Sequence, residues 1–190
     1  MEELIARIRR DGKALNSDVL LVDSFLNHLV DPLLMKKIGD DFASHFASRG
    51  VTRVATIESS GIAPAVMTAL ALSVPLLVMK KTTSSILSDD VCLTTSVHSF
   101  TKNSDYMLMC KRQFLTPGEN VLFIDDFLAN GEAGFGAARL IEEAGCRVAG
   151  MGIVIEKSFQ DGAKKLVQAG YEVYSLAKIA KLDNGVIEFA

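Results

Sequence analysis

Two adjacent carboxylates, Asp125 and Asp126, follow the apolar run Val121-Leu122-Phe123-Ile124 and lead into the small, glycine-punctuated stretch ANGEAGFG. Asp is a poor strand residue, so folding alone gives no reason for a pair of them at the end of a strand covered on both faces. The loop supplies one. Small residues opening a helix turn several unpaired backbone N–H groups toward one point, and the helix dipole adds positive potential there, so Ala129, Asn130, Gly131, Glu132 and Ala133 make an anion site suited to phosphate. Acids one strand end away would repel that phosphate; they suit hydroxyl groups or a metal ion. A ribose 5-phosphate offers both chemistries, with its phosphate in the loop and its hydroxyls at Asp125 and Asp126. On local physics alone three other readings stay open: a phosphoacceptor acid pair, a helix cap and a plain tight turn. The P-loop GxxxxGK[ST] and the dinucleotide GxGxxG are both missing.

Two further strand ends carry polar chemistry. Glu58-Ser59-Ser60-Gly61 follows the strand-like RVATI and precedes a helix, so its amides and two hydroxyls suit a second anion, with Lys80 and Lys81 bringing positive charge at the next strand end. Lys157 ends the apolar GIVIE, where a donor-only ammonium favours an oxo group over an amino group. Each of these is also compatible with an ordinary turn or a solvated lysine. His28, His45 and His98 lie at no metal-ligand spacing, and no Ser-His-Asp set is visible.

The elements that must hold these residues alternate. Glu2 to Arg10 reads as a short amphipathic helix, and Asp31-Pro32 starts a second, with Leu34, Ile38, Phe42 and Phe46 on one face and Gly50 at its end. Strands are expected at 53–57, 76–80, 106–110, 121–126, 147–157 and 171–175, with helices at 65–72, after the 129–133 loop to about 145, and at 161–169. Strands separated by helices imply an α/β fold, a mainly parallel twisted sheet flanked by helices, which binds ligands beyond its strand carboxyl ends. Lys81 to Asp105, rich in Ser, Thr and Asp, loses periodicity and reads as a functional loop rather than a core element. The first thirty residues and the last fifteen fall outside the repeat and are expected to form a small cap.

The 190 residues, 49% hydrophobic and 23% charged, describe one globular domain. A net charge of −3 without a Lys/Arg block gives no sign of a nucleic-acid or membrane-surface partner. Three widely spaced cysteines fit neither a disulfide framework nor a metal site and read as reduced thiols, and no apolar run reaches a membrane span, so a cytoplasmic protein is expected.

VLFIDDFLANGEA resembles the phosphoribosyl pyrophosphate (PRPP) motif of the type I phosphoribosyltransferases, and VDSFLNHLVDPLLM, TIESSGIAPAVM and GIVIEKSFQ extend the likeness over nearly the whole chain to the purine-salvage members of that family. The resemblance implies the family fold over 1–190, with a hood from about 1–30 and 176–190. It also implies transfer of ribosyl 5-phosphate from PRPP to xanthine with release of pyrophosphate, Mg²⁺ as cofactor and a homodimer. Asp125 and Asp126 would hold the ribose hydroxyls directly or through Mg²⁺. Residues 129–133 would wrap the 5-phosphate with the Glu132 carboxylate turned away. Glu58, Ser59, Ser60 and Gly61, with Lys80 or Lys81, would take pyrophosphate, and the Ser/Thr-rich segment would close over the reaction. Leu20, Asn27, Lys157 and Phe159 would recognise the base, Asn27 matching the extra 2-oxo group of xanthine. The alternatives are hypoxanthine or guanine as the base, and a non-catalytic PRPP-sensing regulator.

Overall fold

The computed structural model describes residues 1–82, 91–99 and 104–190. Helix α1 (Glu2–Asp11) is followed by two short strands, β1 (Lys13–Ala14) and β2 (Leu20–Leu21), which pair antiparallel, and by a π-helical turn over Asp23–Asn27. Helix α2 (Pro32–His45) starts as its sequence requires: Asp31 accepts from the amides of Leu33 and Leu34, and Pro32 occupies the first helical position. Then come β3 (Arg53–Ile57), α3 (Ile62–Leu72), β4 (Leu76–Thr82), β5 (Cys92–Ser99), β6 (Ser104–Lys111), β7 (Asn120–Leu128), α4 (Glu132–Glu143), β8 (Arg147–Lys157), α5 (Gly162–Gln168), β9 (Val173–Asp183) and β10 (Val186–Phe189).

Eight strands form one sheet in the order β10-β9-β8-β7-β3-β4-β6-β5. The five central strands, β9 to β4, are parallel, and β10, β6 and β5 add antiparallel at the edges. Side chains on β7 alternate between two cores, as the period of a strand dictates. Leu122 and Ile124 join Phe42 and Phe46 of the α2 side on one face, while Val121 and Phe123 join Leu140 and Ile141 of α4 on the other. Each fully buried Phe here contributes roughly 1.5–3 kcal/mol of transfer free energy.

Three expectations need correction. First, β7 does not end at the acid pair: Asp125, Phe127 and Leu128 stay in register with Ile153, Ile155 and Glu156 of β8, so the neighbouring strand's backbone carries the ladder past residues of poor strand propensity. Second, part of the Ser/Thr-rich segment is a strand. Thr and Val are β-branched and suit extended backbone, and β5 buries Cys92, Leu93 and Val97 while pairing with β6 from Cys92↔Lys111 to Ser99↔Ser104. The closing loop expected within that segment falls largely on residues 83–90 and 100–103, outside the described residues. Third, the C-terminal residues do not leave the sheet. Strand β9 runs on to Asp183, turns through Asn184 and Gly185 at φ +77°, and returns as β10.

Candidate active site: an acid pair between two cavities

The strand carboxyl ends of β3, β4, β7 and β8 open onto two adjoining cavities. One, of about 140 Å³, is lined by residues 128–134 together with Tyr106, Phe123, Asp125, Phe127 and His98. The other, of about 450 Å³, is lined by Glu58, Ser59, Ser60, Lys81 and Asp126, with Tyr106, Asp125 and Ala133 again in its wall. Asp125 therefore stands between them. It is buried, accepts from the amide of Asp126 at 3.0 Å, and its carboxyl is raised well above the ordinary range by loss of hydration and then by the neighbouring charge of Asp126.

The smaller cavity sits over the N-terminus of α4, which among the described residues no side chain caps. Its first amides are thus free for a ligand. Gly131 reaches φ +90°, a left-handed conformation that glycine adopts without strain. The loop rests on the start of α5: Gly162 donates its amide to the carbonyl of Ala129 at 3.0 Å, and a Cβ on Gly162 would stand 2.2 Å from that oxygen. Gly162 was invisible to sequence reasoning, because the contact crosses two elements. Glu132 is half-buried and among the lining residues rather than fully turned away.

Around the larger cavity the turn after β3 contains a cis peptide between Glu58 and Ser59. The Glu58 carboxylate accepts from the Lys81 amide at 2.7 Å and from the Lys80 ammonium at 3.0 Å, and these donors hold it below the usual carboxylate range. Lys80 is thereby turned to Glu58, while Lys81 lines the cavity, its Nζ 5.2 Å from the centroid of the Tyr106 ring. Gly61 packs close behind the acids; a Cβ there would lie 3.3 Å from Asp125 Oδ1.

At the end of β8, Lys157 donates to the Asp18 carbonyl at 2.5 Å, and its Nζ lies 5.5 Å from the centroid of Phe127. Burial lowers its pKa, opposed by the charges of Asp18 and Asp126. Leu20 is buried in β2 near this contact in sequence, whereas Asn27 and Phe159 are exposed, and among the described residues no hydrogen bond joins Asn27 to Lys157. Sequence reasoning passed over Tyr106 and Phe127 because both sit in apolar strands; their proximity to the acid pair in space is the signal.

Metal fit can be judged from the donors. Among the described residues no group of three His, Cys, Asp or Glu could hold a metal ion. Of the three carboxylates lining the larger cavity, Glu58 is engaged by Lys80 and the Lys81 amide, and the pair that remains, Asp125 and Asp126, suits Mg²⁺ only when substrate oxygens and water complete its shell.

The fold is that of the type I phosphoribosyltransferases. Solved adenine phosphoribosyltransferases share it: that of Rhodothermus marinus superposes with a TM-score of 0.76 over 94% of this chain and 100% of its own at 22% identity, and that of Thermoanaerobacter pseudethanolicus with 0.68 over 78% and 82% at 25%. No protein-family model matches the chain. Among curated proteins, xanthine phosphoribosyltransferase 1 of Clostridium botulinum is 59% identical over 189 residues, 100% of this chain and 99% of that protein, and the xanthine phosphoribosyltransferase of Clostridium acetobutylicum is 57% identical over 100% of both. This chain belongs to the xanthine phosphoribosyltransferase family.

Proposed function

We propose that the protein transfers 5-phosphoribosyl from PRPP to xanthine, giving xanthosine monophosphate and pyrophosphate in purine salvage. The observation that carries this, beside the family, is the pair of adjoining cavities with Asp125 in the wall of both. The 5-phosphate binds the 129–133 loop, where amides and the α4 dipole receive it. Pyrophosphate occupies the larger cavity against Ser59, Ser60 and Lys81, with Glu58 and Gly61 shaping the turn and Lys80 holding Glu58. Asp125 and Asp126 accept from the ribose hydroxyls, and their charge stabilises the oxocarbenium-like centre as the bond to pyrophosphate breaks and the bond to the purine nitrogen forms. When bound, Mg²⁺ supplies neutralisation of the departing pyrophosphate, and Asp125 and Asp126 are the residues that would hold it, alone or through water.

Base recognition falls to Lys157, with Leu20, Asn27 and Phe159 around it: the ammonium donates to an oxo group, and the Asn27 amide meets the second one. We take the chain as one domain, with residues 1–30 as a hood that meets the C-terminal edge of the sheet. The Lys157–Asp18 contact and the Gly185 amide on the Ala14 carbonyl at 3.0 Å support that grouping. A homodimer is part of the proposal, supported by Leu29, Leu33 and Leu70, each about 70% exposed, which a second copy would cover. Cytoplasmic residence is supported by three free, buried cysteines. No helix among the described residues is long and apolar enough to cross a membrane.

The test is a competition among xanthine, hypoxanthine, guanine and adenine with PRPP and Mg²⁺, with products separated by chromatography. Xanthosine monophosphate as the dominant product is expected. A different nucleotide would reassign the base, and PRPP binding without any nucleotide product would make the protein a sensor.

A further inference from the structure

Among the described residues only two carboxylates are classed as buried, Asp125 and Glu156. The proposed reaction accounts for the first. Nothing so far accounts for Glu156, which is 6% exposed on β8 and flanked along its strand by Val154, Ile155 and the stem of Lys157. Burying a carboxylate costs several kcal/mol of hydration unless polar partners replace the water. Glu156 has such partners, and their placement is informative. Ser158 Oγ donates to its Oε1 at 3.1 Å, and Ser175 Oγ on β9 donates to its Oε2 at 2.5 Å. Lys178 Nζ, also on β9, stands 3.8 Å from Oε2.

Glu156 and Ser158 bracket Lys157, and successive residues of a strand point to opposite sides. The carboxylate thus fastens the residues before and after Lys157 to β9 from one side, leaving the ammonium on the other, over Phe127 and against the Asp18 carbonyl. The same turn is tied by backbone bonds: the Ser158 amide donates to Ile179 O at 2.8 Å and the Gln160 amide to Lys157 O at 2.9 Å. Phe159 lies between these two anchors.

We propose that Glu156 is a positioning residue for base recognition: through Ser158 and Ser175 it fixes the turn that presents Lys157 and Phe159 to the purine. This rests on the reading that Lys157 recognises the base. Misplacement of a recognition group by about 1 Å is enough to cost on the order of 10²-fold in rate, so a clamp acting through two hydroxyls can set the efficiency of the whole site.

The experiment compares Glu156→Ala, Glu156→Gln, Ser158→Ala and Lys157→Met with the parent enzyme, measuring KM for xanthine and for PRPP separately, kcat, and Tm. Expected is a rise of about tenfold or more in the xanthine KM for Glu156→Ala with the PRPP KM within about twofold, partial recovery in Glu156→Gln, whose amide oxygen still accepts from one serine, and a smaller change of the same kind in Ser158→Ala. If Lys157→Met raises the xanthine KM while Glu156→Ala and Ser158→Ala leave it unchanged, the positioning role is wrong and the base reading stands. If Lys157→Met leaves it unchanged, the base reading itself fails and takes the inference with it. Equal loss in both KM values alongside a collapsed Tm would make Glu156 a folding residue and overturn the proposal; Ser158→Ala, which removes one oxygen and leaves Ser175 and Lys178 on the buried carboxylate, keeps the test readable in that case.

Discussion

The ammonium of Lys157 donates to the main-chain carbonyl of Asp18 across 139 residues of sequence. Its polar partner is thus a neutral dipole from the β1–β2 connection, and its charge stays available to a ligand oxygen. Because burial already lowers its pKa, the ammonium deprotonates below the ordinary lysine range. We expect kcat/KM for xanthine to fall as pH rises through that lowered value, and the fall to vanish in Lys157→Met; a pH–rate profile of the two proteins checks it.

Asn27→Ala is expected to lower kcat/KM for xanthine against hypoxanthine by about tenfold, the scale of one lost hydrogen bond to a buried polar group. Parallel assays with the two bases measure the ratio, and an unchanged ratio would remove Asn27 from base selection.

Asp125→Asn separates chemistry from stability. The folded protein raises the pKa of this carboxyl above its unfolded value, so its contribution favours the fold at low pH and is lost as pH rises through the folded pKa. At neutral pH and above, the amide should leave Tm unchanged or higher while reducing kcat by about 10²-fold or more. Thermal melts beside initial rates give both quantities. Equal losses in both would make the acid structural.

The same raised pKa predicts an acid limb in activity. The ribose hydroxyls need an ionised acceptor, so kcat/KM for PRPP should rise with pH through a value above the normal aspartate range, and the limb should disappear in Asp125→Asn. Rates with saturating xanthine between pH 5 and about 9 test this.

Gly162→Ala should raise the KM for PRPP by about tenfold with the KM for xanthine little changed, since the new methyl would meet the Ala129 carbonyl under the proposed phosphate loop. Calorimetric titration with PRPP and initial-rate kinetics distinguish this from general unfolding.

Thiol reagents should leave the native enzyme active. Cys92, Cys110 and Cys146 are buried, burial pushes the Cys110 thiol up to about 11 and raises that of Cys146 also, so reactive thiolate is scarce at neutral pH. Iodoacetamide labelling followed by mass spectrometry, before and after denaturation, checks it.

Much of this architecture is legible in the chain because local signals and tertiary roles agree. RVATI is β3, RVAGMGIVIEK is β8, and Asp31-Pro32 starts α2, each where the residues themselves call for it. The acid pair and the small-residue turn into α4 are legible for the same reason: strand, acids, small residues and helix occur in one stretch. What escaped the sequence depends on partners distant in it. Strand β5 is polar on one side and needs β6 to define it, and β10 needs the edge of β9. Gly162, Tyr106 and Glu156 acquire meaning only from what lies against them, which no window of residues contains.

Leu128 of β7 pairs with Glu156 of β8, and one residue beyond each lie the first residue of the proposed phosphate loop and the lysine proposed to read the base. The offset between the two ends of the expected nucleotide is thus ruled by one strand-to-strand step of the sheet, about 4.8 Å, plus the reach of the loops. The sheet is in effect a measuring gauge for its ligand. A slip of one residue between β7 and β8 would move the two marks apart and turn every neighbouring side chain to the wrong face. Hydrogen-bonded register between β7 and β8 is therefore as much a part of the proposed site as its acids.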